Sequence, residues 1–303
     1  MKSQLAELLD GKQIAKQIQA EIKQEVAEFC NQGFAQPKLA AVLVGGDPAS
    51  EVYVHNKERA CHRVGILSEL HRMPESTTTA DLLDKVDALN RDATVDGILV
   101  QLPLPRQIDT QTVLDAVSAD KDVDAFHPYN VGLISQGRPR FLPCTPHGVA
   151  QLLARYQLKT RGKQVCIIGR SDIVGKPMAS MLVQKDFGLG GDYANATVTI
   201  CHSQTPDLPQ LTRQADILIA AIGSPRFVTV SMVKPGAVVI DVGINRTEHG
   251  LVGDVDFDQV ATVASHLTPV PGGIGPLTVT MLLKNTLAAA RGRNSKNAPQ
   301  NVS

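Results

Sequence analysis

At 303 residues the chain is long enough for two ordinary domains, and 43% apolar with 20% charged residues is the composition of a protein that buries a sizeable core. Thirty basic residues balance thirty acidic ones, which leaves no net field to attract nucleic acid or an anionic membrane, and the lack of Trp argues against a base-stacking surface. The start, MKSQLAELLDGKQIAKQIQ, lacks the apolar block of a signal peptide, no apolar run nears the ~20 residues of a membrane span, and the five cysteines are scattered without a Cys-x-x-Cys pair, so a reducing compartment, by default the cytoplasm, is expected.

The first half alternates. GKQIAKQIQAEIKQEVAEFC sets Ile14, Ile18, Ile22, Val26 and Phe29 on one face and reads as an amphipathic helix. KLAAVLVGG is a buried strand closed by glycines. PASEVYVHNKERACHRVG is a helix with Pro near its start and Gly at its end. ILSEL is a strand, TTADLLDKVDALNRDA a helix with a Thr cap, VDGILVQLPLP a strand stopped by prolines, and DTQTVLDAVS a further helix. This rhythm predicts a parallel sheet with helices on both faces. From Asp120 to Thr145 the rhythm breaks into a Pro- and Gly-rich stretch that reads as an irregular functional loop leading into a domain junction, and PHGVAQLLARYQL restores a helix.

The second half opens a new unit. KQVCIIG is a strand, KPMASMLVQ a helix, and ATVTICHS, ADILIAAIG, GAVVIDVGI and HLTPVPGG four more strands. IGPLTVTMLLKNTLAAARG is a last helix. The pattern is α/β throughout: two doubly wound domains, the second of Rossmann type. KDFGLGGDYAN, from Lys185 to Asn195, reads as a surface insertion. The expected division is a domain over 1–148 that the helix 275–292 rejoins, a nucleotide domain over 149–274, and a flexible polar tail over 293–303.

VCIIGRSDIVGKPMASML has the order strand, turn, helix, with Gly169 at the strand end and Gly175 and Pro177 at the helix start. A helix N-terminus there offers unpaired N–H groups to a pyrophosphate. Ser171 stands where the usual second glycine lets the backbone approach, so its hydroxyl or a slightly more distant phosphate must serve; a plain tight turn is the alternative. The next strand ends in His202, Ser203, Gln204 and Thr205 without the acid that holds an NAD ribose, and Arg170 is placed to take a 2′-phosphate, which points to NADP; a merely solvated Arg170 is the alternative.

Tyr53 and Lys57 lie four apart on one helix face. Tyr-x-x-x-Lys is a spacing met in enzymes that move hydride to a nicotinamide, but there the pair follows the phosphate turn and here it precedes it. Gln101 stands at the C-terminal end of an apolar strand, the end where open α/β sheets bind ligands, and needs hydrogen-bond partners if buried. Asp124 opens the irregular loop. Taken singly, Lys57 reads as a surface Lys and Asp124 as a turn residue. The eight histidines form no His-x-x-x-His pair and no metal site is expected; Cys144 reads as a small packed residue.

SEVYVHNK, DGILVQLPLP, KDVDAFHP, PCTPHGV, VCIIGRSDIVGKP, CHSQT, VIDVGIN and TPVPGGIGPLTVTMLL follow in that order from residue 50 to residue 283. Together they resemble the bifunctional methylenetetrahydrofolate dehydrogenase/methenyltetrahydrofolate cyclohydrolase family. VQLPLP and PGGIGPLT are specific to it and absent from the nearest enzyme rival, a shikimate-type dehydrogenase. A folate- or nucleotide-binding protein that lost activity is the other rival, and the presence of Lys57 speaks against it. The resemblance implies a folate cleft between two domains, NADP as cofactor, tetrahydrofolate derivatives as substrates, polyglutamylated forms among them, and a homodimer. It implies Lys57 as the catalytic Lys, Gln101 as the partner that orients it, Tyr53 as the ring packed on the folate, and Asp124 as the carboxylate that binds the pterin. Pro271, Gly272 and Gly273 would line the folate and nicotinamide, and Gly169, Arg170, Ser171, Ser203 and Ile244 would contact NADP. Two departures stand out: Ala125, where the family often has Gly, implies a stiffer loop, and the Lys185–Asn195 insertion would bear on the rim near the adenine end.

Overall fold

The structure, a computed structural model, describes residues 5–248 and 250–297. In chain order the elements are β1 (Glu7–Leu8), α1 (Gly11–Asn31), β2 (Lys38–Val44), α2 (Pro48–Val64), β3 (Leu67–Met73), α3 (Thr79–Arg91), β4 (Gly97–Val100), α4 (Thr110–Ala116), α5 (Pro128–Ser135) and α6 (Cys144–Arg155). Then come β5 (Gln164–Ile168), α7 (Gly175–Leu182), β6 (Thr197–Cys201), α8 (Leu208–Thr212), β7 (Ile217–Ala220), β8 (Val238–Asp241), β9 (Asn245–Thr247), β10 (Gly250–Val252), α9 (Phe257–Val260), β11 (His266–Leu267) and α10 (Ile274–Asn297). The described helices include none long and apolar enough to cross a membrane. Two compact units divide the chain, each taking more than one segment of it.

One unit holds residues 17–132, 140–142 and the chain from Val279 onward. Its sheet is fully parallel, in the order β3-β2-β4. β2 is buried over six of its seven residues, the mark of a central parallel strand covered on both faces. Ala40, Val42 and Val44 pack with Leu82, Val86 and Leu89 of α3 and Val113 of α4 in one core, while α2 packs on β2 and β3. α3 begins with a reciprocal capping box between Thr78 and Asp81, which satisfies two of its orphan amide groups.

The other unit holds the chain up to Lys16, residues 133–139 and residues 143–278. Its main sheet has six strands, all parallel, in the order β1-β11-β8-β7-β5-β6, and β9 and β10 pair antiparallel apart from it. β1 forms one edge; from β5 the chain adds β6 on one side, then crosses to β7, β8 and β11 on the other, β11 lying beside β1. Such a reversal of winding is where doubly wound sheets bind their ligands, and the turn after β5 lies at it. Buried Cys166, Ile168, Leu218, Ala220, Val239 and Leu267 line one face of the core.

Four details differ from the sequence reading. β1 pairs in parallel with β11, so the first residues join the six-stranded sheet rather than a domain running unbroken over 1–148; a two-residue strand leaves no periodicity to read. The stretch from Asp120 to Thr145 contains α5, which starts on Pro128, buries Ile134 and ends at Ser135, two residues before Gly137 with φ +72°; its apolar residues do not gather on one face, so no period announced it. α10 runs to Asn297, so the expected tail begins as helix, and residues 298–303 lie outside the described residues. The Lys185–Asn195 insertion is folded, with Phe187 and Ala194 buried, and the Thr160 and Arg161 amides donate to the Asp192 carbonyl at the N-terminal approach to β5. That end of the strand is opposite the phosphate turn.

Candidate active site

In the three-stranded unit α2 carries the candidate pair. Asp47 caps its N-terminus, accepting from the Ser50 amide at 2.8 Å, and Gly65 ends it with φ +82°, a conformation that favours glycine. Val54, Ala60, Cys61 and Val64 bury one face. That leaves Tyr53 and Lys57 on another, one turn apart, Tyr53 36% exposed and Lys57 half-buried. β4 delivers Gln101 just past its C-terminal end, where the Gln101 amide donates to the Val42 carbonyl of β2.

Lys57 Nζ donates to Gln101 Oε1 at 2.9 Å, and Gln101 Nε2 donates to the Leu102 carbonyl at 2.6 Å. The second bond sets the first. Turned over, the amide would face Nζ with its own donors and the carbonyl with its oxygen, losing both bonds. Gln101 thus holds the amine of Lys57 at a fixed point, with the Tyr53 ring beside it on the helix. Burial pushes the Tyr53 phenol above its ordinary value, so it stays a neutral donor at physiological pH.

Asp124 sits half-buried on a loop whose backbone is fixed by its neighbours. Asp122, 5% exposed, accepts from the amides of Phe126 at 3.2 Å and His127 at 2.9 Å and from Asn130 Nδ2 at 2.8 Å. Asn285 of α10 donates to the carbonyls of Val123 at 2.7 Å and Leu142 at 2.9 Å. Val123 fills the space above Gly97, where a Cβ would come 2.6 Å from its Cγ1. Ala125 takes φ +61°, a left-handed conformation that costs an L residue roughly 1–2 kcal/mol and explains why glycine suits the position. Sequence reading passed over Asp122 and Asn285: the partners of Asn285 lie 162 and 143 positions away, and those of Asp122, though close in the chain, lie in a stretch without a period.

In the six-stranded unit the turn after β5 is tightly built. Gly169 has φ +122°, and a Cβ there would lie 2.2 Å from the Ala221 carbonyl oxygen; at Gly175 it would lie 2.1 Å from the Gly169 carbonyl oxygen. Ser171 Oγ accepts from the Val174 amide at 3.2 Å and the Gly175 amide at 3.4 Å, so the hydroxyl first serves the start of α7. Arg170 and Ser203 are exposed, and β6 ends without an acid. The bare Gly169 backbone, the start of α7 and the exposed Arg170 suit a dinucleotide phosphate, and its 2′-phosphorylated form in particular. Gly169→Ala should lower the free energy of unfolding by about 2–4 kcal/mol in a denaturant titration, since both its backbone conformation and its space are denied to alanine; an unchanged midpoint would show that the turn can relax.

Two buried aspartates at the C-terminal edge of this sheet were also missed. Asp241, the last residue of β8, accepts from the amides of Gly243 at 3.0 Å, Asp254 at 2.9 Å and Val255 at 2.9 Å. Burial pushes its carboxyl up to about 6. Asp254, fully buried, accepts from the amides of Ile222 at 2.7 Å, Gly223 at 3.0 Å and Ser224 at 2.8 Å and from Asn245 Nδ2 at 2.9 Å. The reasoning that singled out Gln101, a polar residue closing an apolar strand, applies equally to Asp241 in VVIDVG. Ile244, 43% exposed, stands between these anchored segments. The Pro271–Gly273 turn follows β11 at the same edge: the Gly272 carbonyl accepts from the Lys12 amide at 2.9 Å, and Gly272 has φ +110°.

Comparison with known proteins gives a consistent picture. Residues 143–294 match the family model for the tetrahydrofolate dehydrogenase/cyclohydrolase NAD(P)-binding domain, and residues 9–124 that for its catalytic domain. The chain is similar to the bifunctional protein FolD of Rhodopirellula baltica, 61% identical over 295 residues, which cover 95% of this chain and 98% of that one. Among solved structures it is similar to the bifunctional enzyme FolD of Campylobacter jejuni, 46% identical with a TM-score of 0.89, over 94% of this chain and 99% of that one. It is also similar to the Trypanosoma brucei methylenetetrahydrofolate dehydrogenase-cyclohydrolase complexed with NADP cofactor and inhibitor, 37% identical with a TM-score of 0.87, over 97% of this chain and all of that one.

Proposed function

The chain belongs to the tetrahydrofolate dehydrogenase/cyclohydrolase family, and from that premise we propose which of its residues carry each reaction. It is a bifunctional enzyme of one-carbon metabolism: it oxidises 5,10-methylenetetrahydrofolate to the 5,10-methenyl cation and hydrolyses that cation to 10-formyltetrahydrofolate. NADP supplies the hydride acceptor when bound. The observation that carries the residue assignment is the 2.9 Å bond from Lys57 Nζ to Gln101 Oε1, with Tyr53 one turn away on α2.

Oxidation removes hydride from the methylene carbon and leaves a cation spread over two nitrogens. It calls for alignment of the reacting atoms and no general base. In this reading Tyr53 packs on the folate, Asp124 accepts from pterin N–H groups, and the Pro271–Gly273 turn limits where the reacting ends can lie. Hydrolysis adds water to the cation, breaks one ring C–N bond and releases one proton, so it needs a group that moves protons. Lys57 is that group, and Gln101 keeps its amine aimed. Gly169, Arg170, Ser171, Ser203 and Ile244 hold the dinucleotide. The three-stranded unit takes the folate and the six-stranded unit the NADP. A homodimer acting in the cytoplasm on tetrahydrofolates, polyglutamylated ones included, completes the proposal; sedimentation at micromolar protein checks the dimer.

The cofactor preference rests on Arg170 and the acid-free end of β6. A charge-assisted contact with phosphate is worth roughly 1.5–3 kcal/mol, so NADP should be favoured over NAD by about ten- to a hundredfold in kcat/KM. Arg170→Ala should erode that ratio and leave hydrolysis of supplied methenyltetrahydrofolate in place. Equal kcat/KM for the two cofactors in the unmutated protein would remove Arg170 from the site.

A further inference from the structure

The Asp254 carboxylate is fully buried and accepts four hydrogen bonds, three of them from the consecutive amides of Ile222, Gly223 and Ser224 and the fourth from Asn245 Nδ2, at 2.7 to 3.0 Å. Three successive amides turned onto one anion form a nest, and bonds to a charged acceptor are the stronger kind. The segment gathered there follows β7 and lies against the phosphate turn, because the Ala221 carbonyl oxygen occupies the space that a Cβ on Gly169 would need. Asn245 follows Ile244 directly. Asp254 is itself anchored, its amide donating to Asp241 at 2.9 Å, and the surround is closed: a Cβ on Gly243 would come 2.2 Å from the Asp254 carboxylate, and one on Gly253 1.8 Å from that of Asp241.

Asp254 touches neither reacting atoms nor, in the assignment above, the dinucleotide. Yet it ties the Ile222–Ser224 segment, beside the Gly169 turn, to Asn245 in the segment that carries Ile244. We propose that Asp254 is a positioning residue for the dinucleotide: it fixes the Ile222–Ser224 segment against the phosphate turn and, through Asn245, sets the backbone that presents Ile244. This inference rests on the assignment of NADP to the Gly169 turn.

Asp254→Asn keeps the shape but turns an NH2 group toward amide donors, so the nest must open on at least one side. The NADP Kd, measured by calorimetric titration of the otherwise intact chain, should rise about ten- to a hundredfold, the scale of one or two lost charge-assisted bonds. KM for NADP should rise likewise, while hydrolysis of supplied methenyltetrahydrofolate, which consumes no dinucleotide, stays within about twofold. An unchanged Kd in a folded variant overturns the proposal, and so does an equal loss of both activities, which would mark a merely structural residue. Should Asp254→Asn fail to fold, Asn245→Ala decides: removing one of four donors should raise the Kd by about three- to tenfold, and no change would contradict the proposal. If the unmutated protein binds no NADP, the assignment of the Gly169 turn fails first and this inference falls with it.

Discussion

Lys57→Met is expected to abolish cyclohydrolase activity while leaving a measurable dehydrogenase. The two reactions ask different things of the protein: hydride departure needs alignment, and water addition needs a proton moved. Met keeps the length of the side chain and removes the amine, and with it the 2.9 Å bond to Gln101. General acid/base assistance is worth about 10²–10⁴-fold, so hydrolysis of supplied methenyltetrahydrofolate should fall by at least that much toward the buffer rate. NADPH formation from the methylene substrate should fall less, by what is lost when Gln101 Oε1 has no donor and the packing around Tyr53 shifts. Methenyltetrahydrofolate should then accumulate, visible by its own absorbance. Hydrolysis near the original rate would show that Lys57 is not the catalytic group; equal loss of both activities would make it a binding residue only.

Asp124→Ala is expected to weaken folate binding by about ten- to two-hundredfold and to harm both reactions together. One carboxylate can accept two pterin N–H bonds, and its removal leaves those donors without their charged acceptor, a loss on the order of 1.5–3 kcal/mol. The loop itself should survive the change. Asp122 accepts the amides of Phe126 and His127, Asn285 holds the Val123 carbonyl, and Val123 itself is fully buried, so the backbone is fixed by residues other than Asp124. Folate Kd by titration without NADP, with the melting temperature as a control on the fold, is the measurement. An unchanged Kd would return Asp124 to a turn role.

What could be read from the residues follows a physical line. The strands at Lys38–Val44 and Gln164–Ile168 are apolar runs bounded by turn residues, and a parallel strand covered on both faces looks like that from sequence alone. Helix α2 has Asp47 and Pro48 at one end and Gly65 at the other, so even its limits were legible. Tyr53 and Lys57 were readable as a pair because helical spacing is local, and Gln101 stood out because a polar residue closing an apolar strand requires a partner. The partner's identity came from the resemblance, since 44 positions separate Lys57 from Gln101 and no local rule spans them. The same limit hid Asp241 and Asp254, which accept from amides 14 and 32 residues away. It hid β1 as well, because two residues become a strand only when β11 is beside them. α5 escaped for a different reason: it lacks a coherent apolar face, so the period that marks a helix was missing.

The account stands or falls on one chain running two consecutive reactions on the same folate carbon. The most direct test mixes the unmutated protein with 5,10-methylenetetrahydrofolate and NADP and follows NADPH and the methenyl absorbance in one trace. The account predicts NADPH formed one for one with substrate consumed, methenyl absorbance that stays low or rises and then decays faster than in buffer, and 10-formyltetrahydrofolate as the final product. NADPH formation with the methenyl compound persisting at its buffer lifetime, or no NADPH at all, would contradict it.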